Sequence, residues 1–142
     1  MAGSQIVPAE NFPSNYEVVH VNLTNNESGD FADDQFVYYA HKEMVLDAFI
    51  VVFGTTDNDA SVKLTTAASG TVADGTDLTT ATAITGTAGT PVSGTIDATA
   101  NVIPAGNWIG VEITGTSTAE EMFVSLRLHS SDLSSTATSY GD

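Results

Sequence analysis

Hydrophobic and polar positions alternate with a period of two along most of this chain. In "YEVVHVNLT" (16–24), Val19, Val21 and Leu23 alternate with His20 and Asn22, which predicts a strand with one covered face. "FVYYA" (36–40) is short, aromatic and β-branched, and suits a pleated surface. "EMVLDAFIVVFG" (43–54) is apolar on both phases. Met44, Leu46, Ala48, Ile50 and Val52 make one face; Val45, Phe49, Val51 and Phe53 make the other. A strand covered on both sides reads this way, so this segment is expected at the centre of a sheet. "SVKLTT" (61–66) turns Val62 and Leu64 inward. In residues 107–114, Ile109, Val111 and Ile113 oppose Trp108, Gly110 and Glu112. In residues 121–129, Met122, Val124, Leu126 and Leu128 oppose Glu121, Ser125, Arg127 and His129. These last two runs are expected to pair as an antiparallel hairpin.

Between the runs lie polar, glycine-containing breaks. "ASGTVADGTD" (68–77) offers Asp74-Gly75, a favourable hairpin dipeptide, and Pro104-Ala105-Gly106 marks a further turn. The stretch "TTATAITGTAGTPVSGTIDATA" (79–100) is mostly Thr, Ala and Gly. It reads as short strands with too few large side chains to form a core, so larger strands around it must template it. No run shows a convincing helical period. About seven to nine short strands with regular turn signals predict an all-β, antiparallel two-sheet β-sandwich, jelly-roll-like in connectivity. The expected organisation is an extended N-terminal arm over 1–15, a sandwich domain over 16–129 and a polar tail over 130–142. Pro8 and Pro13 keep the arm extended, yet it carries Ile6, Val7 and Phe12, which a purely solvated segment would not need.

Charge narrows the function classes. Eighteen acidic residues face three basic ones, Lys42, Lys63 and Arg127, for a net charge of −15. Nucleic-acid binding needs lysines and arginines to displace counterions, and anionic membranes need the same cations. Neither partner is expected. Cysteine is absent, so disulfides and thiol chemistry are excluded. The first 16 residues show no basic segment followed by an apolar one, so no secretion signal is expected, and the sequons at Asn22 and Asn26 read as chance matches.

Candidate chemistry is sparse. His20, His41 and His129 lie far apart without metal-ligand spacing. A nucleophile elbow and a phosphate loop are both absent from the sequence, and three cations leave few partners for tuning a catalytic pKa. The expectation is a non-enzyme with no cofactor. The acidic loops at Asp30-Asp33-Asp34, Asp57-Asn58-Asp59 and Asp74 with Asp77 offer hard oxygen ligands, so a structural calcium stands as the alternative, although none completes an EF-hand pattern.

From "HKEMVLDAFIVVFG" through "VIPAGNWIGVEITG" to "AEEMFVSLRL", roughly residues 41–129, the chain resembles small bacteriophage head decoration, or cement, proteins. The likeness is one of texture and strand order: a charged lead-in, a long apolar strand, a Thr/Ala/Gly-rich middle, a Pro-Ala-Gly turn and two alternating strands. It implies a structural virion protein, made in the host cytoplasm, that sits on the outer capsid surface. The implied partners are the major capsid protein and copies of itself, with trimers favoured. The residues expected to touch the shell or a neighbour are Ile6, Val7, Phe12 and Tyr16. The alternative is a receptor- or glycan-binding β-sandwich of a fibre or cell-surface protein, with Trp108, Tyr38 and Tyr39 as a stacking platform.

Overall fold

The computed structural model describes residues 16–23, 34–54, 60–84, 86–114 and 121–131. Ten strands build it: β1 (Tyr16–Asn22), β2 (Gln35–Tyr39), β3 (Met44–Phe53), β4 (Ser61–Ala67), β5 (Thr76–Asp77), β6 (Thr82–Ala83), β7 (Val92–Ser93), β8 (Val102–Ile103), β9 (Trp108–Thr114) and β10 (Met122–Ser130). Among the described residues one 3₁₀ turn, Val72–Asp74, interrupts them.

The strands form two antiparallel sheets. In sheet A the order is β1-β10-β3-β7, with β8 also on β3; in sheet B it is β2-β9-β4-β5, with β6 also on β4. The long strands change sheets at each step along the chain, from β1 in A to β2 in B, β3 in A and β4 in B. That is the jelly-roll manner of sharing one chain between two layers. It also corrects the expected hairpin. β9 pairs with β2 and β4, whereas β10 pairs with β1 and β3. Alternation specifies which face of a strand is buried and leaves its neighbour unspecified, so two amphipathic strands can face each other across the core as readily as lie side by side.

The core lies between the inward phases. Val62 and Leu64 of β4 and Ile109, Val111 and Ile113 of β9 come from sheet B; Met122, Val124, Leu126 and Leu128 of β10 come from sheet A. β3 is internal to its sheet, but its faces differ from the expected pair. Leu126 opposes Phe49, Arg127 opposes Ala48 and Leu128 opposes Leu46, which leaves Asp47 as an extra residue in a β-bulge. The bulge resets the phase. Met44 and Leu46 before it, and Phe49, Val51 and Phe53 after it, are buried; Val45, Ile50 and Val52 are half-buried on the outer side.

The Thr/Ala/Gly stretch is tied to longer strands mainly through backbone groups. Ile84 N donates to Ala60 O, Gly89 N to Phe53 O, and Gly94 N to Phe49 O. Ile84 is its large, fully buried side chain, and Leu78, immediately before the stretch, is buried too. At Gly94 a Cβ would lie 2.5 Å from the Phe49 ring, so glycine is what lets this strand pass over the core aromatic. Asp74-Gly75 is not the hairpin turn that its dipeptide suggests. Gly75 is extended, and a Cβ there would meet Thr65 and Trp108 at about 3 Å, so its role is close approach.

Candidate functional site

The two sheets present different outer faces. On sheet A, cross-strand register sets four rungs. Tyr16 lies beside His129 and Val45; Val18 beside Arg127 and Ala48; His20 beside Ser125 and Ile50; Asn22 beside Phe123 and Val52. Tyr16 is 50% exposed and Val18 54% exposed, on a strand that ends the sheet. Rings brace this face: Tyr16 meets His129 edge-on at 5.9 Å, His20 stacks on Phe123 at 5.5 Å, and the Arg127 guanidinium lies 5.8 Å from the Tyr16 ring centre.

Charge on this face runs against the rest of the chain. Along the outward phases of β1, β10 and β3, Asp47 is the one carboxylate among the described residues. The bulge turns it outward, and it meets His129 Nδ1 at 2.6 Å. Arg127, the Tyr16 phenol and two histidines are the other titratable groups on these described phases, so in a protein of net charge −15 the one carboxylate on this face has a close polar partner.

The outer face of sheet B is partly roofed. The segment 71–75 lies on β4 and β9: Thr65 Oγ1 donates to Val72 O at 2.7 Å, and Val72 fills the space over Gly110. Beside it, Lys63 Nζ lies 2.9 Å from Asp77 and 3.2 Å from Glu112. The Asp77 hydrogen bond is the main reason that the Lys63 pKa rises above its ordinary value. At the end of this face stands an aromatic group. Phe36 (59% exposed) meets Trp108 edge-on at 5.0 Å, Tyr39 (52% exposed) is the cross-strand neighbour of Trp108, and His41 sits edge-on to Tyr39 at 4.9 Å.

The expected platform of Trp108, Tyr38 and Tyr39 is thereby altered. A register shift in β2 between Phe36 and Tyr38 sets Tyr38 against the core, and its hydroxyl donates to Glu17 of β1 at 3.0 Å. Burial, then the Glu17 carboxylate, pushes the Tyr38 pKa up to about 12. Tyr38 thus ties the edge strands of the two sheets together, and Phe36 takes its place beside Trp108. The sequence signal for Phe36 was its aromatic character in "FVYYA"; the bulge that exposes it has no such signal.

Of the expected contact residues, Tyr16 lies on the outer face of β1, while Ile6, Val7 and Phe12 lie outside the described residues. So do Asp30, Asp33, Asp57, Asn58 and Asp59 of the acidic loops. The described loop carboxylates are engaged separately. Asp74 accepts from Thr71 Oγ1, Asp77 pairs with Lys63, and Asp34 accepts from the Ile113 amide. Among the described residues no three His, Cys, Asp or Glu side chains converge as metal ligands. The chain matches none of the protein-family models, curated proteins or solved structures with which it was compared.

Proposed function

We propose that this protein decorates the outer surface of a phage capsid, bridging neighbouring shell subunits and stiffening the assembled particle. The observation that carries the reading is the outer face of sheet A. A chain of net charge −15 that docks on a large protein surface needs one face free of unpartnered carboxylates, because each buried, unpaired charge costs several kcal/mol. The rungs from Tyr16 to Val52 meet that need, with apolar side chains for contact and Arg127 as a cation. β1 also ends its sheet and follows directly on residues 1–15, so the arm and this face are continuous in the chain. Edge strands are natural sites for a partner to add main-chain hydrogen bonds. Many modest contacts on a fixed lattice sum to high avidity, and binding the assembled shell in preference to free subunits stabilises it by linkage. Trimers at local threefold positions belong to the same proposal.

Co-sedimentation with undecorated capsids tests it. The full chain is expected to pellet with the shells. Val18→Glu and a chain lacking residues 1–15 are expected to stay in the supernatant while keeping nearly the parent melting temperature. Full retention by both variants would overturn the assignment of the contact, and failure of the parent chain to pellet would overturn the function.

A further inference from the structure

The aromatic end of sheet B takes no part in the face assigned to the shell, and it has the chemistry of a ligand site. Trp108 stands between Gly75 on one side and Phe36 on the other, and Tyr39 is its cross-strand partner. Phe36 and Tyr39 leave half or more of their surface in water. Apolar rings held in the open at one end of a sheet, against polar surroundings, favour a ligand that is itself apolar on one side and polar on the other.

At the same end of the sandwich is a recess of about 340 Å³, lined by Ala67, Thr76, Thr99, Val102 and Asn107 among others, within the size range of small-molecule sites. Asn107 precedes Trp108 in the chain, and Ala67 is the cross-strand neighbour of Trp108, so rings and recess share one end of the sandwich. Hydroxyl and amide groups supply its polarity, and no charged side chain lines it. The turn that forms one wall is fixed, since Asp97 accepts from both the amide and the hydroxyl of Thr99 at 2.9 and 2.7 Å.

We propose that this end of the molecule binds a neutral pyranose saccharide. A pyranose has an apolar C–H face that lies on aromatic rings and a rim of hydroxyls that bond to Thr and Asn side chains. The absence of a charged group in the recess leaves nothing to bind an anionic sugar, and the net charge of −15 repels one. A protein partner would require a broader apolar surface than two exposed rings and Val102. Phe36, Tyr39 and Trp108 supply the stacking surface, and Asn107, Thr76 and Thr99 the hydrogen bonds.

Trp108 is the only tryptophan in the chain, so its fluorescence reports on this site and nowhere else. The experiment titrates the full chain with maltohexaose, cellohexaose and mannohexaose, each without shells present, so its outcome is independent of capsid binding. A saturable change in Trp108 emission is expected with at least one sugar. Phe36→Ala and Tyr39→Ala are each expected to weaken it by about tenfold or more, and Asn107→Ala by less, with Tyr38→Phe binding as the parent does. Melting curves identify any variant that fails to fold, and the remaining variants then decide. No saturable change with any of the three sugars would overturn the proposal, as would undiminished binding by folded Phe36→Ala, Tyr39→Ala and Asn107→Ala.

Discussion

β10 and the stretch 78–100 are built on opposite plans. β10 carries a large apolar side chain at each inward position from Met122 to Leu128, and it pairs along its length with β1 on one side and β3 on the other. The stretch 78–100 contributes two-residue strands and a bridge between Thr79 and Ile96, and Leu78, Gly89 and Gly94 donate backbone hydrogen bonds to longer strands. In β10 stability comes from side-chain burial. In the stretch it comes from backbone pairing and from the absence of side chains where strands cross, as at Gly94. Small residues are thus structural here in a sense that hydropathy does not register.

The comparison can be broken from either side. Leu126→Ala empties a fully buried position in β10 and is expected to cost about 2–5 kcal/mol, whereas Ser125→Ala, on the outward phase, is expected to do little. Denaturant melts of the two check this, and equal losses would refute the register. Gly94→Ala adds one carbon where the Phe49 ring is 2.5 Å away and boxed into the core. It is expected to cost about 1–3 kcal/mol by overpacking, read by the same melts. A neutral result there would show that the short-strand region yields easily. Ile84→Val removes one methyl from a large, buried side chain of the stretch and is expected to cost about 0.5–1.5 kcal/mol.

The smallest effect is a pH slope at the rim. Tyr38 holds its proton to about pH 12 in the folded chain, against about 10 for an ordinary phenol. Both states are neutral at Tyr38 below pH 10. Between 10 and 12 the unfolded chain loses the proton first, so stability falls as pH rises through this window. The raised Lys63 pKa adds a slope of the same sign. Melting temperatures measured across this range should fall less steeply in Tyr38→Phe. An unchanged slope would show that the folded chain does not hold the Tyr38 phenol above its ordinary pKa.

The sequence made the long strands legible because each buries one face, and period-two alternation is the direct record of that burial. Val19, Val21 and Leu23, the inward residues of β4, β9 and β10, and the Pro104 turn were all visible. Three things were hidden. Which sheet β9 and β10 joined was hidden because facing strands and neighbouring strands can carry the same alternation. The bulge at Asp47 was hidden because an apolar run on both phases masks a one-residue slip. The close-approach role of Gly75 was hidden because it depends on Thr65 and Trp108, distant in sequence. The candidate sites divided likewise: Tyr16, Tyr39 and Trp108 could be singled out by type, but Phe36 replaced Tyr38 through a bulge, and the low acid content of one sheet face emerged only with the register.

The strand order also sets a timetable for biosynthesis. Of the described strands β1 leaves the ribosome first, yet its partner in the sheet is β10, the last of them to be made, with Tyr16 placed against His129. β2 waits in the same way for β9. The long strands therefore have no long partner next to them in the chain, and β4 with β5 is the local exception among the described strands. At about 5–20 residues per second, the nascent chain stays open for several seconds before its outer strands can close. Non-local pairing of this kind also slows folding after release. Throughout that interval the dense negative charge of the chain keeps unfinished copies apart, so the same acidity that shapes the mature surface also protects the protein while it is being made.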